Sequence, residues 1–154
     1  MINIAWPRLQ KNYLTYEKDA WKVIGRKVWY NHVNNPDDFA NSCAIRISHA
    51  LNQSGVPIVY SKGKTILGEN HLWYYYRVKD LKQFLTDWYG DADIKVTDKK
   101  GLVGKKGIIC FDIDIWIDAT GHFTLFDGNK ALGGEHDSDY YFKNASKISI
   151  WVSE

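Results

Sequence analysis

The final third of the chain alternates large apolar residues with other types at a period of two. Every odd position in residues 109–117 is Ile or Phe, while the even positions carry Cys, Asp and Trp. Such alternation predicts a β-strand with one buried face. Residues 118–121 predict a turn, and residues 122–126 predict the returning strand of a hairpin. A second alternating stretch at 148–152 predicts a closing strand at the C-terminus.

Earlier in the chain the apolar spacing is helical. Apolar residues recur at three- and four-residue steps in three stretches, which predict helices: 15–30, 41–52 and 80–89. An aromatic run at 72–78 predicts a strand. Polar stretches at 31–38 and 91–106 predict connectors. Helices first and antiparallel strands last predict an α+β fold, in which N-terminal helices pack on a C-terminal antiparallel sheet.

The predicted helix 41–52 carries a cysteine in its first turn. Asn41 is a favourable N-cap residue, and Cys43, Ile47 and Leu51 share one helix face. The free amides and the dipole of a helix start stabilise a thiolate, which is the form that attacks carbonyl carbon. Because packing in a core is the commoner role of a free cysteine, Cys43 is a candidate nucleophile only if a base lies near it.

The chain offers five histidines as that base: His32, His49, His71, His122 and His136. His49 follows Cys43 by six residues, on roughly the opposite side of the helix, so a packing or exposed role is expected. Two others fall in predicted loops, and His136 lies in a polar run typical of a surface. His122 begins a strand of the sheet that should pack on the Cys43 helix, so it is the strongest candidate.

The composition and charge of the chain exclude several classes of function. The chain has 154 residues, which predicts one domain, and its net charge is +2. The lysines are scattered without a basic face, which argues against a nucleic-acid-binding role. Cys43 and Cys110 show no zinc-ligand spacing, and no metal or cofactor is expected. The N-terminus has no apolar run as long as a signal peptide or a membrane span, so export requires a route that reads no cleavable signal.

Five segments together resemble one known family. In chain order they are NSCAIRISHALNQSG, WYYYRVKDLKQFL, GKKGIICFD, GHFTLFDGN and ISIWV. They are similar to the type VI secretion amidase effectors of the fourth family, and the resemblance extends over residues 29–152. It implies a papain-like, NlpC-type cysteine peptidase fold and a single peptidoglycan amidase domain over residues 1–154.

The resemblance also implies a catalytic set. Such effectors cleave peptidoglycan stem peptides between D-glutamate and meso-diaminopimelate. Cys43 matches the family's nucleophile and His122 its general base. The family's third member is an aspartate after the histidine strand, for which Asp137 and Asp139 are alternatives. Asp127 ranks behind both, because an Asp-Gly turn explains it without function.

Two groups are candidates for stabilising the oxyanion of the tetrahedral intermediate in such a reaction. The main-chain amide of Cys43, at the helix start, is expected to donate to it. A side chain from the preceding region, such as Asn41 or Tyr30, is a candidate second donor. The sequence leaves the choice between these two open.

The resemblance implies partners and a location as well. The substrate is a peptidoglycan stem peptide, a cognate immunity protein is the inhibitor, and a component of the secretion apparatus delivers the effector. The protein is then made in the cytoplasm, secreted by the type VI system and active in the periplasm of a target cell. Two alternatives stay open: a non-catalytic module that binds cell-wall glycan or peptide, and an acyltransferase on the same fold. Fast alkylation of Cys43 near neutral pH distinguishes an enzyme from the binding module.

Overall fold

The computed structural model describes residues 1–115 and 121–154. The helices are α1 (Trp6–Lys11), α2 (Ala20–Ile24), α3 (Arg26–Asn34), α4 (Cys43–Gln53), α5 (Val78–Tyr89), a 3-10 turn (Lys100–Leu102) and α6 (Ser138–Asn144). The strands are β1 (Thr65–Leu67), β2 (Trp73–Tyr75), β3 (Ile94–Val96), β4 (Lys106–Asp112), β5 (Gly121–Asp127) and β6 (Lys147–Val152). The α+β prediction is confirmed, with most helices before the main sheet.

The main sheet is antiparallel, with its four strands in the order β3-β6-β4-β5. The predicted hairpin strands are confirmed as β4 and β5, which place Phe111 opposite His122. The predicted closing strand is β6, which pairs with the other side of β4. Strand β5 is therefore at the sheet edge, and half of its N–H groups point away from β4. Helix α4 packs against this edge strand.

The strand β4 is buried on both faces, whereas its alternation predicts one buried face. Residues 107–111 are all buried because helices cover both sides of the sheet. Cys110 packs in one core with α1, α4 and α5, and Phe111 packs in another with α6. The strand ends at Asp112, and the last part of the predicted strand and turn, at 116–120, lies outside the described residues.

The helix that carries Cys43 is more deeply buried than an amphipathic surface helix. Nine of its eleven residues are buried, because α1, α2, α5, β2 and β5 all pack around it. It begins at Cys43, so Asn41 precedes the N-cap position instead of occupying it. The side chain of Asn41 still caps the helix, since its Oδ1 accepts from the N–H of Cys43 at 3.0 Å.

Some predicted boundaries are wrong for identifiable reasons. The helix predicted over 15–30 is split into α2 and α3 at Gly25, whose φ of +70° is incompatible with a continuous helix. Helix α3 continues to Asn34, into the predicted loop 31–38. The aromatic strand is shorter than predicted, as β2, while α5 ends before Gly90 as expected.

The elements α1, β1, β3, the 3-10 turn and α6 were not predicted. Strand β3 lies in the lysine-rich stretch 91–106 and pairs with β6. Helix α6 begins after Asp137. The carboxylate of Asp137 accepts from the N–H of Tyr140 at 2.9 Å, which is an N-cap hydrogen bond.

Candidate active site

Cys43 is the first residue of α4, and only 1% of it is exposed. Burial raises the pKa of its thiol from 9.0 to about 11. The N–H groups of Phe123 and Ala44, the side chain of Asn41 and the positive charge of Arg46 oppose this rise. Desolvation outweighs them, so the thiol is neutral at neutral pH. The expectation that the helix start makes this group a thiolate is therefore wrong for the buried thiol of this structure.

His122 lies on β5 and is 3% exposed. Its Nε2 is 2.8 Å from the main-chain carbonyl oxygen of Gly133. A carbonyl only accepts hydrogen bonds, so Nε2 carries a proton and Nδ1 of the neutral ring is the acceptor. The ring of Tyr141 stacks on the imidazole at 4.0 Å with an interplanar angle of 7°. Burial lowers the pKa of His122 to about 4, which keeps the ring neutral and able to take up a proton.

The structure brings the predicted cysteine and histidine to the same place. The N–H of Phe123, the residue after His122, hydrogen-bonds to the sulfur of Cys43 and lowers the pKa of that thiol. Tyr141 stacks on the imidazole and also interacts electrostatically with Cys43. Tyr16 also interacts electrostatically with Cys43, and its ring is tilted by 57° to the imidazole with the two centroids 6.4 Å apart. The start of α4 and the edge strand β5 therefore form one buried site.

A buried arginine, Arg46, holds one wall of this site. Its Nε donates to the Oγ of Ser42 at 2.9 Å, and its guanidinium lies 3.9 Å from the ring centroid of Tyr16. Its Nη1 also donates to three main-chain carbonyls, those of Leu14 at 3.1 Å, Thr15 at 2.8 Å and Lys18 at 3.0 Å. Among the described residues Arg46 has no carboxylate partner. It fixes the segment that carries Tyr16 against α4.

Within the described residues, neither predicted aspartate hydrogen-bonds to the imidazole. Asp137 is exposed and caps α6, and Asp139 is exposed in the first turn of that helix. Asp127 accepts from two main-chain N–H groups of its own turn. In the described part of the chain, the acceptor on the His122 ring is the Gly133 carbonyl. Helix α6 begins at Ser138, so Asp137 and Asp139 lie at a helix start.

The predicted oxyanion donors also differ from expectation. The main-chain N–H of Cys43 is already bonded to Asn41 Oδ1, so in this structure it is not free to receive a substrate oxygen. The side chain of Asn41 also contacts the Cys43 sulfur. Tyr30 is 55% exposed and packs under the ammonium group of Lys27. Of the two predicted second donors, only Asn41 adjoins the cysteine.

The other histidines have separate environments. His49 is half-buried beside the ring of Tyr74, as a packing role predicts. His32 lies in α3 instead of a loop, and its ring stacks on Trp21 at 4.4 Å. His136 is exposed, as predicted, yet its charge adds to the lowering of the pKa of His122.

No pattern in the sequence predicted the roles of Tyr16, Tyr141 and Gly133, whereas Arg46 falls within one of the family-like segments. The consecutive glycines 133 and 134 were a usable signal, because such pairs often mark close backbone approach. Within residues 1–115 and 121–154, no three His, Cys, Asp or Glu side chains cluster as metal ligands would. None of the described helices combines the length and apolarity needed to span a bilayer.

Helices packed on an antiparallel sheet, with a cysteine at a helix start beside a histidine on the edge strand, define the papain-like class of fold. The family model for the type VI secretion system (T6SS) amidase effector protein 4, Tae4, matches residues 39–151. The chain therefore belongs to the Tae4 family of type VI secretion amidase effectors. No curated protein matches the chain.

Solved structures support the same family. The Tae4–Tai4 effector–immunity complex from Enterobacter cloacae matches with 32% identity and a TM-score of 0.81, over 99% of this chain and 100% of that chain. The Tae4–Tai4 complex from Salmonella Typhimurium matches with 25% identity and a TM-score of 0.86, over the same shares of each chain. Tae4 from Enterobacter cloacae matches with 32% identity and a TM-score of 0.80, over 99% of this chain and 98% of that chain. The predicted papain-like α+β fold is thus confirmed.

Proposed function

We propose that this chain is an antibacterial effector whose single amidase domain hydrolyses the D-glutamyl–meso-diaminopimelate bond of peptidoglycan stem peptides. Cys43 is the nucleophile and His122 the general base. Membership in the amidase effector family supports hydrolysis of an amide. The observation that carries the residue assignment is the packing of α4, which begins with Cys43, against the strand of His122, where the Phe123 N–H acts on the sulfur.

The proposed reaction begins from a neutral thiol and a neutral imidazole. As the sulfur attacks the γ-carbonyl carbon of D-glutamate, the thiol proton passes to Nδ1 of His122 and an S–C bond forms. The imidazolium then protonates the leaving amine of diaminopimelate, and the C–N bond breaks. Water, deprotonated by the same imidazole, attacks the thioester, which releases the carboxylate and restores the thiol.

The side chain of Asn41 is held beside the sulfur by both of its ends. Its Oδ1 accepts from the N–H of Cys43 at 3.0 Å, and its NH₂ group acts as a donor to the sulfur and lowers the pKa of the thiol, so the NH₂ group is already where the oxyanion would form. We assign the NH₂ group of Asn41 as an oxyanion donor in preference to Tyr30. Substitution of such a donor in other hydrolases costs about 10²–10³ in kcat.

The remaining parts of the proposal concern partners. The relatives from Enterobacter cloacae and Salmonella Typhimurium were solved with Tai4 immunity proteins. By analogy, a cognate immunity protein inhibits this chain and protects the producing cell. Delivery occurs through a component of the type VI apparatus into the periplasm of a rival cell.

Product analysis tests the reaction. Purified peptidoglycan sacculi are incubated with the protein, and the released fragments are identified by mass spectrometry. We expect fragments that end in a free D-glutamate γ-carboxylate, and partner fragments that begin with a free diaminopimelate amine. Cleavage elsewhere in the stem contradicts the assigned bond. Transfer of the glutamyl group to an added amine, in place of water, would instead identify an acyltransferase.

A further inference from the structure

His122 is oriented in this structure by the protein main chain. We propose that the carbonyl of Gly133 is the positioning group for the catalytic imidazole, in the place where the family resemblance implies an aspartate. This inference rests on the proposed function, since it concerns how His122 is held for the reaction. It makes the carboxylates of Asp137 and Asp139 dispensable.

The hydrogen bond to Gly133 determines the tautomer of the His122 ring. The Nε2–H of His122 donates to the Gly133 oxygen at 2.8 Å, and the Tyr141 ring fixes the imidazole plane by stacking at 4.0 Å. The two contacts leave little rotational freedom, because one restrains an atom and the other restrains a plane. With Nε2 protonated, Nδ1 is the basic nitrogen of the neutral ring. A triad carboxylate sets tautomer and orientation in the same way.

The segment that carries this carbonyl is anchored on both sides. The N–H of Leu132 donates to the carbonyl of Leu125 on β5 at 2.9 Å. The N–H of His136 donates to the hydroxyl of Tyr141 at 3.2 Å. The carbonyl is thus tied to the strand that carries His122 and to the helix that stacks on it. It has the rigid support that a positioning group requires.

Two glycines allow the main chain to come this close. A Cβ atom at Gly133 would lie 2.3 Å from the hydroxyl of Tyr13 and 3.0 Å from ring atoms of Tyr16. A Cβ atom at Gly134 would lie 2.2 Å from the hydroxyl of Tyr141, at a φ of +154°. The segment passes between tyrosines on both sides, and only residues without a side chain fit. The glycine pair therefore lets the main chain come close enough for the Gly133 carbonyl to bond to the imidazole.

The two aspartates that the resemblance offers for this role have other places in the structure. Asp137 accepts the N–H of Tyr140 as the cap of α6, and Asp139 is exposed one residue into the helix. Among the residues that the structure describes, burial and the charge of His136 lower the pKa of His122, and the Gly133 carbonyl raises it.

The first test removes the carboxylate charges. Asp137→Asn keeps an N-cap side chain of equal rank, and Asp139→Asn is an exposed isosteric change, so both variants should fold. We expect kcat/KM on a stem peptide to stay within about threefold of wild type. Loss of a true triad carboxylate costs about 10⁴ in kcat. A loss of 100-fold or more in either variant overturns the proposal.

The second test reads the imidazole directly. In protein labelled with ¹⁵N-histidine, nitrogen chemical shifts report which ring nitrogen of neutral His122 carries the proton. We expect the Nε2–H form in wild type, with no change in Asp137→Asn or Asp139→Asn. An Nδ1–H ring in wild type overturns the proposal. This readout needs no activity, so it separates failure of the inference from failure of the proposed function, which Cys43→Ala tests.

A third variant displaces the carbonyl. Gly133→Ala should lower kcat by about 10- to 100-fold with a smaller change in KM, and it should mix the ring tautomers of His122. Gly101→Ala is the matched control, because its Cβ meets only Val96, at an ordinary 3.4 Å. A folded Gly133→Ala protein with wild-type kcat and an unchanged tautomer contradicts the proposal. If that variant does not fold, the wild-type spectrum decides.

Discussion

The ionisation state of Cys43 can be tested by raising the pH of the free protein. Burial raises the pKa of the thiol from 9.0 to about 11. At pH 8 the thiolate fraction should therefore be about one in a thousand, compared with about one in ten for an unperturbed thiol. The more basic thiolate is intrinsically about tenfold more reactive, from a Brønsted coefficient of about 0.5. Cys43 should thus react with iodoacetamide at least about tenfold more slowly than an unperturbed thiol. Fast alkylation of the free protein is therefore not expected of the enzyme, and product analysis has to distinguish it from a binding module.

The assay is carboxamidomethylation at pH 7 to 10, followed by peptide mapping so that Cys43 and Cys110 are measured separately. The rate at Cys43 should rise about tenfold per pH unit without a plateau. Cys110 is an internal control, because it is equally buried and burial raises its pKa as well, while its sulfur hydrogen-bonds to Asp112. A plateau at neutral pH that disappears in His122→Ala would reveal a preformed thiolate–imidazolium pair and refute this reasoning.

Three further predictions concern stability and the second cysteine. Because the pKa of His122 falls from 6.5 in the unfolded chain to about 4 in the folded state, the unfolded state binds more protons between these values. Urea unfolding should therefore show a loss of up to about 3 kcal/mol as the pH drops from 6.5 to 4, and His122→Phe should remove that part of the slope. Arg46→Met removes the donor to three main-chain carbonyls and should lower the free energy of unfolding by at least about 3 kcal/mol. Wild-type stability in that variant would contradict the anchoring role of Arg46. Cys110→Ala should retain kcat/KM within about twofold while losing about 1 kcal/mol, and an inactive but folded variant would indicate that Cys110 takes part in the chemistry.

The sequence located the two central side chains because both signals are local. Turn residues before His122 and alternation after it specify a strand, and the apolar spacing after Cys43 specifies a helix. Their meeting follows from fold class, since helices of an α+β domain must cover the sheet. Helix α6 could also have been predicted from the sequence, because Asp137 is a good N-cap residue before an aromatic run.

The remaining features depend on tertiary contacts that local pattern does not encode. Every residue carries a carbonyl, so nothing in the sequence marks that of Gly133 until Tyr13, Tyr16 and Tyr141 enclose it. The neutral state of the Cys43 thiol has the same origin. A helix start favours the thiolate, but desolvation is set by the packing of distant elements and proves larger.

The most direct test of the site is hydrolysis of a purified stem peptide by Cys43→Ala, measured beside wild type. We expect the variant to lose at least about 10⁴ in kcat/KM while it keeps the wild-type urea unfolding curve. Release of the same diaminopimelate amine at a comparable rate by the folded variant would contradict the assignment of Cys43 as the nucleophile.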